Sequence, residues 1–235
     1  MNEKILEIVK KSPQLVKSHQ REEWVQLFSK DAEIEDPVGS RPYKQEELGK
    51  FWDAFIAPNE ITFHSNFDIL SGNTVARDVN IHTILPSKHE VWVPAHLFYT
   101  VKDGKVISMY AHWDLSKMVF DFLKMKGAIS AMTSLSFSIF KNLGIPGIWG
   151  FTKAFLWGIK GSGEKIIKSQ NLANHLKKDA DLNFSLNDLS NIKVLNTRSS
   201  GYYTSFSFEK EGKKGIGNLK FCPLSKNITW GRLYH

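Results

Sequence analysis

Few side chains in the first half of this 235-residue chain are placed to move protons. Asp36 stands in Asp-Pro-Val-Gly, where the short extended run from Ala32 ends at a proline. A carboxyl group at a strand end, if it faces an apolar interior, has its pKa raised by desolvation and can shuttle protons near neutrality. The plainer role is to brace the turn, as aspartate before proline often does. His96 lies in an alternating run whose one face reads Trp92, Pro94, His96, Phe98 and Thr100. An imidazole there can donate a hydrogen bond or act as a general acid; the alternative is a core histidine satisfied by backbone. On the preceding run Arg77, Val79, Ile81 and Thr83 share a face, with Asp78 opposite; on the following one Met109, Ala111 and Trp113 share a face. If Arg77 points inward it can pair with Asp36, lowering that acid's pKa and suiting an anionic ligand. Its alternative is a solvated strand end. His82 and His112 fall on the other faces and read as sheet surface. No His, Asp or Glu cluster has metal-ligand spacing, so no metal is expected.

The elements that position these residues follow from periodicity. Residues 2–18 read as a helix, with Pro13 a point where it can split. Residues 21–29 form a second helix with Trp24, Leu27 and Phe28 on one face, and residues 45–57 a third. The period then changes to two. Residues 61–70, 74–85, 90–101 and 105–115 are four strands separated by Ser-Gly-Asn, Pro-Ser-Lys-His and Lys-Asp-Gly turns. Three helices and then a meander is an α+β order, with the helices closing one side of a curved antiparallel sheet into a cone. Phe28, Phe51, Trp52 and Phe55 supply apolar wall or core.

At this level the first half becomes specific. The stretch WVQLFSKDAEIEDPVGS followed by a KFW helix, and the later HLFYTVKDGKVISMYAHW, resemble the ketosteroid isomerase and SnoaL-like branch of the NTF2-like superfamily over about residues 1–116. The resemblance implies that Asp36 is the base that takes a proton beside a carbonyl and returns it elsewhere. It also implies two oxyanion donors, a tyrosine and a neutral aspartic acid in ketosteroid isomerase, and here the sequence departs from the family. Ser12 stands where the family has tyrosine, and His96 where it has the protonated aspartic acid. Loss of one such donor costs about 2.7–4 kcal/mol, so His96 is the expected substitute. Asp36 with His96 then resembles the acid–base logic of scytalone dehydratase. Asp36 with Arg77 matches only part of the Asp–Arg–Asp set of the limonene-epoxide-hydrolase branch. The expected ligand is a medium-sized hydrophobic molecule contacted by Ser12, Phe28, Phe51, Trp52, Arg77, Val79, Ile81, Phe98, Met109 and Trp113. The expected reaction is isomerisation or dehydration, and no cofactor is needed. The alternative is a non-catalytic carrier or membrane-surface protein. Domains of this superfamily often dimerise through the convex sheet face, so a homodimer is also an expectation.

The second half, residues 117–235, carries no motif that points to a family, and reads as a basic, aromatic-rich α+β extension. Residues 1–115 hold 13 basic and 17 acidic side chains, whereas residues 116–235 hold 18 and 7. Between Gly127 and Thr152 Lys141 is the one charge. Pro146 and the Ser, Thr and Gly content argue for a buried helical pair broken at Asn-Leu-Gly-Ile-Pro-Gly rather than a membrane span. Trp149, Phe151, Phe155 and Trp157 among lysines also fit an interfacial segment, and the basic balance fits peripheral contact with an anionic membrane. Residues 161–178 read as a helix and residues 191–235 as a second antiparallel meander. Gly161, Gly163 and Lys165 lack the rest of a phosphate loop and read as a linker entering a helix. Tyr202, Tyr203, Phe206 and Phe208 read as sheet core, and nucleic acid is not an expected partner. Cys222 is the single cysteine, so a disulfide framework is excluded. The start of the chain reads as no secretory signal, and a cytoplasmic setting is expected.

Overall fold

A computed structural model describes residues 2–169 and 172–235. Helix α1 (Asn2–Lys17) runs through Pro13 without splitting and turns Val9, Ser12 and Val16 inward. Helix α2 (Arg21–Gln26) is shorter than its periodicity predicts. Phe28 already begins strand β1 (Phe28–Glu35), because β1 pairs in parallel with a later strand from Phe28 onward. β2 (Tyr43–Lys44) flanks it. A 3-10 turn (Gln45–Glu47), helix α3 (Leu48–Phe51) and a wider turn (Trp52–Ile56) make one continuous helical segment, closed by the Ala57 N–H on the Trp52 carbonyl at 2.9 Å. Strands β3 (Glu60–Ser71), β4 (Thr74–Ile84), β5 (Glu90–Lys102) and β6 (Lys105–His112) then form the expected meander.

The order in the first sheet is β2-β1-β6-β5-β4-β3, antiparallel except for the parallel pair β1–β6. One face packs on α1, α2 and α3 through Val79, Leu97, Tyr99, Met109 and Ala111. Asp114 then caps helix α4 (Leu115–Leu123) by accepting from the Lys117 backbone N–H at 2.8 Å. A longer helical segment, α5 (Ala128–Leu156), breaks at Gly144, whose φ of 63° lies just before Pro146. The break falls where the sequence places it. The segment is not wholly buried, however. Leu135, Ile139 and Leu143 join the first core while Phe137, Ile145 and Trp149 are exposed.

The second sheet is also present, with one correction. The helix expected over residues 161–178 is only α6 (Gly161–Lys168), and its positions 170 and 171 lie outside the described residues. Leu176 instead starts β7 (Leu176–Leu182), which pairs in parallel with the last strand. Strands β8 (Lys193–Ser200), β9 (Tyr203–Lys210), β10 (Lys213–Phe221) and β11 (Ile228–Tyr234) complete the order β7-β11-β10-β9-β8. Phe206 and Phe208 sit in its core, and Gly163 has no side chain because Thr204 fills the space.

This order repeats that of the first sheet. In both, a four-strand meander closes on a strand lying parallel to its last member. The two sheets pack face to face, with Ala76 and Phe98 of the first against Ile216 and Tyr234 of the second. The sheet face expected to serve a homodimer is therefore covered by the chain's own second sheet.

The halves also meet at two turns. Gly39 of Asp-Pro-Val-Gly lies against Gly201, and the Ser200 hydroxyl donates to the Val38 carbonyl at 2.6 Å. A Cβ on Gly201, whose φ is +53°, would come 2.7 Å from the Gly39 Cα. Gly72 has a similar φ of +59° with nothing within 4 Å. We expect Gly72→Ala to cost about 1–2 kcal/mol, the left-handed backbone penalty alone. Gly201→Ala should cost upward of about 3 kcal/mol because backbone must also move. Denaturant titration of both variants checks this, and equal losses would mean that the contact is not tight.

Candidate functional site

A cavity of about 460 Å³ lies between the helix-covered face of the first sheet and the α4–α5 segment. That volume falls within the range of about 300–1,000 Å³ usual for small-molecule sites. Its walls are Phe51, Phe55, Ile61, Ile81, Val91 and Val93, and its roof is Met118, Phe122, Met132, Leu135, Ile139 and Phe155. A smaller chamber of about 100 Å³ continues inward, lined by Ser12, Trp24, Leu97, Tyr99 and Met109. Asp36, Phe51, Phe55, Ile61 and Ile81 border both spaces.

Asp36 is the acid of this largely apolar enclosure, whose other polar lining residues are Asn59, Thr83, Ser136 and Thr152, with Ser12 and Tyr99 in the inner chamber. Strand β1 ends at Glu35, and the turn that follows holds Asp36 by several bonds. The Val38 N–H donates to the Ala111 carbonyl at 2.9 Å, and the Gly39 N–H donates to Glu35 Oε2 at 2.9 Å. The indole Nε1–H of Trp113 donates to Asp36 Oδ1 at 2.7 Å. Among the described residues no cation pairs with Asp36 and no group bonds to Oδ2. Removal from water therefore outweighs the single indole bond, and the carboxyl is pushed up to about 6. It keeps some accessible surface because it faces the cavity.

Ser12 accepts from Trp24 Nε1 at 3.0 Å and hydrogen-bonds to the Tyr99 hydroxyl. Burial pushes the Tyr99 phenol up, so it stays protonated and available as a donor. Tyr43, fully buried near Asp36 with Arg41 over its ring at 4.4 Å, is pushed up to about 12.

The remaining candidates divide. Ser12, Phe51, Ile81, Met109 and Trp113 border the cavity or its inner chamber. Phe28, Trp52 and Val79 pack in the adjoining core without lining either space. Arg77 is buried and ion-paired to Asp68, Nε to Oδ1 at 2.8 Å, so it does not reach Asp36. Phe98 lies between the two sheets.

His96 is also on the far face. Its Nδ1 lies 2.8 Å from Ser205 Oγ and its Nε2 3.5 Å from Asp78 Oδ2. Asp78, held well below the usual carboxylate range by His96, Asn66 and Ser207, accepts from Asn66 at 2.9 Å and Asn196 at 3.3 Å. Burial pushes His96 down. His112, read as sheet surface, is buried there too, accepts from Asn218 at 3.3 Å and is pushed down to about 3.

The misplacement of His96 and Phe98 has one cause. Directly opposed residues of a sheet share a face, and the register sets Arg77 opposite Leu97 and Leu97 opposite Ala111. If Ile81 and Trp113 face the cavity, the odd positions of β5 must do so as well. That rule finds Tyr99, which the alternation of β5 alone does not. β5 is buried on both faces in its second half and shows no alternation of polarity there.

Residues 9–109 match the family model described as a SnoaL-like domain. No curated protein matches the chain. Among solved structures, the chain is similar to the Mycobacterium tuberculosis protein RV0760c in complex with estradiol-17beta-hemisuccinate, at 27% identity over 49% of this chain and 96% of that one, with a TM-score of 0.46. It is similar to the Delta 5-3-ketosteroid isomerase of Mycobacterium sp., at 23% identity over 48% and 94%, TM-score 0.46. It is also similar to the epoxide hydrolase/cyclase-like enzyme SalBIII, at 24% identity over 47% and 91%, TM-score 0.44.

The raised Asp36 pKa sets a sign for stability. The folded state holds this proton more tightly than the unfolded one, so stability falls as pH rises from 3.8 to about 6. We expect Asp36→Asn to be more stable than the wild type by about 1–3 kcal/mol at neutral pH, with the gap closing in acid below the unfolded pKa. Denaturant titrations across that pH range check it. A variant less stable at every pH would show that the carboxylate is stabilised by contacts other than those described.

Proposed function

We propose that the SnoaL-like half of the chain, roofed by α4 and α5, binds a medium-sized hydrophobic molecule and transfers a proton on it, with Asp36 as the base. The observation that carries this reading is a carboxyl group with one hydrogen bond and no cation at the border of an apolar cavity. A pKa of about 6 leaves Asp36 mostly ionised at neutral pH while keeping its conjugate acid strong enough to give the proton back. Isomerisation follows if Asp36 removes a proton beside a carbonyl and returns it at another carbon. Dehydration follows if the carbanion instead expels a hydroxyl group, which takes up the proton that Asp36 removed and leaves as water.

Both routes place negative charge on a substrate oxygen. His96 cannot serve it from between the sheets. Tyr99, seated with Ser12 in the inner chamber bordered by Asp36, supports the donor role better. Trp113, already on Asp36, orients the base.

The test is the ultraviolet assay for conversion of a 5-ene-3-ketosteroid to its conjugated isomer. Wild-type turnover should rise with pH through about 6 as Asp36 ionises. Asp36→Asn should lower kcat by on the order of 10²–10⁴-fold, and Tyr99→Phe by about 10²–10³-fold. His96→Gln should lower stability yet keep kcat within a few-fold. Saturable binding of the steroid without turnover would favour the carrier reading, and neither binding nor turnover would remove steroids as the ligand class.

A further inference from the structure

The roof of the cavity has a second side. Along the first part of α5, Ile129, Thr133, Phe137 and Phe140 recur at helical spacing on the face opposite Ala131, Leu135 and Ile139. After the break, Ile145, Ile148, Trp149 and Leu156 do the same. These outward residues are exposed, Ile145 at 74% and Phe137 at 67% of its surface. The break itself sets Ile145 at the corner between two helical arms. Leu156 both lines the cavity and is 51% exposed, and Phe120, exposed on α4, packs on the cavity residue Phe155 with ring centroids 6.0 Å apart. The apolar surface is therefore continuous from the cavity wall to the outside.

The charge around this surface is one-sided. Residues 116–160 hold six lysines and one acid, Asp121. Lys141 follows Phe137 by four residues and Lys153 follows Trp149 by four, so each lysine sits beside an exposed ring on the same helix face. No helix of the described residues is long and apolar enough to cross a membrane. Outward aromatic and aliphatic residues fringed by lysine suit a helix lying in the headgroup region, and not one that spans. A second copy of this chain would bring the same positive fringe against itself.

We propose that the outward face of α5, with Phe120 of α4, docks on the surface of an anionic phospholipid bilayer, and that the cavity roof is in this way the side through which a hydrophobic ligand passes. Docking does not depend on the chemistry of Asp36, so its test is separate from turnover. The full chain is sedimented with vesicles of phosphatidylcholine alone and of phosphatidylcholine with phosphatidylserine. We expect binding to the phosphatidylserine vesicles that weakens as salt rises, with little binding to phosphatidylcholine alone. The double variant Ile145→Ser, Trp149→Ser should bind at least about tenfold more weakly while melting as the wild type does. Lys141→Glu with Lys153→Glu should weaken binding and its salt dependence together. Failure of the wild type to sediment with phosphatidylserine vesicles at low salt overturns the proposal, as does equal binding by the Ile145, Trp149 double variant. Self-association in light scattering that the same double variant abolishes, without vesicle binding, would assign the face to a second copy instead.

Discussion

A carboxyl group on the border of a largely apolar cavity must be held there by the structure around it. Asp36 gains one indole hydrogen bond and loses its hydration, and the net effect raises its pKa to about 6. The turn that carries it is accordingly fastened from several directions. β6 takes the Val38 N–H, Glu35 takes the Gly39 N–H, and Ser200 from the second half binds the Val38 carbonyl. The acid belongs to the first half, but part of what keeps it in place comes from far along the chain, in the second sheet.

The meander is buried on both faces where it meets the second sheet, over Val75–Val79 of β4 and Ala95–Tyr99 of β5, and the two sides do different things. Toward the helices it presents mostly aliphatic and aromatic residues, with the Arg77–Asp68 pair among them, and leaves a cavity. Toward the second sheet it presents Asp78, His96 and His112, matched by Asn196, Ser205 and Asn218. Buried polar groups of this kind add little net stability, but an unmatched one is costly, so they penalise any other register between the sheets. The buried ionisable groups around the first sheet thus differ by place: Asp36 stands nearly unpartnered beside the cavity, Arg77 pairs with Asp68, and Asp78, His96 and His112 share hydrogen bonds in the seam, where His96 Nε2 and His112 Nδ1 have no hydrogen-bond partner among the described residues.

Much of the first half is legible in the sequence. Period-two alternation, turn residues and helical spacing place the three helical segments and the four-strand meander, and the motif around Asp36 points to the acid that borders the cavity. The legibility stops at β5. Both faces of Ala95 to Tyr99 are covered, so polarity alternates with nothing, and the choice between His96 and Tyr99 depends on cross-strand register rather than on composition. The roof is hidden for a related reason: α5 is apolar nearly all round, with one side on the cavity and the other exposed, so its pattern cannot say which is which. β7 is hidden because its parallel partner, β11, is the last strand of the chain, and no local signal announces such a pairing.

The repeat of strand order has a consequence for how the molecule behaves in solution. Two sheets that pack as separate chains come apart on dilution, and their melting point depends on concentration. Here the partner sheet is tethered, so its effective concentration is fixed by the linker through α4, α5 and α6 and not by the amount of protein present. Tethering also removes symmetry. The two partners no longer need identical surfaces, so His96 can face Ser205 and Asp78 can face Asn196 without the reciprocal pairs that a two-fold axis would impose. One sheet can keep a cavity and an acid while the other serves as a permanent wall.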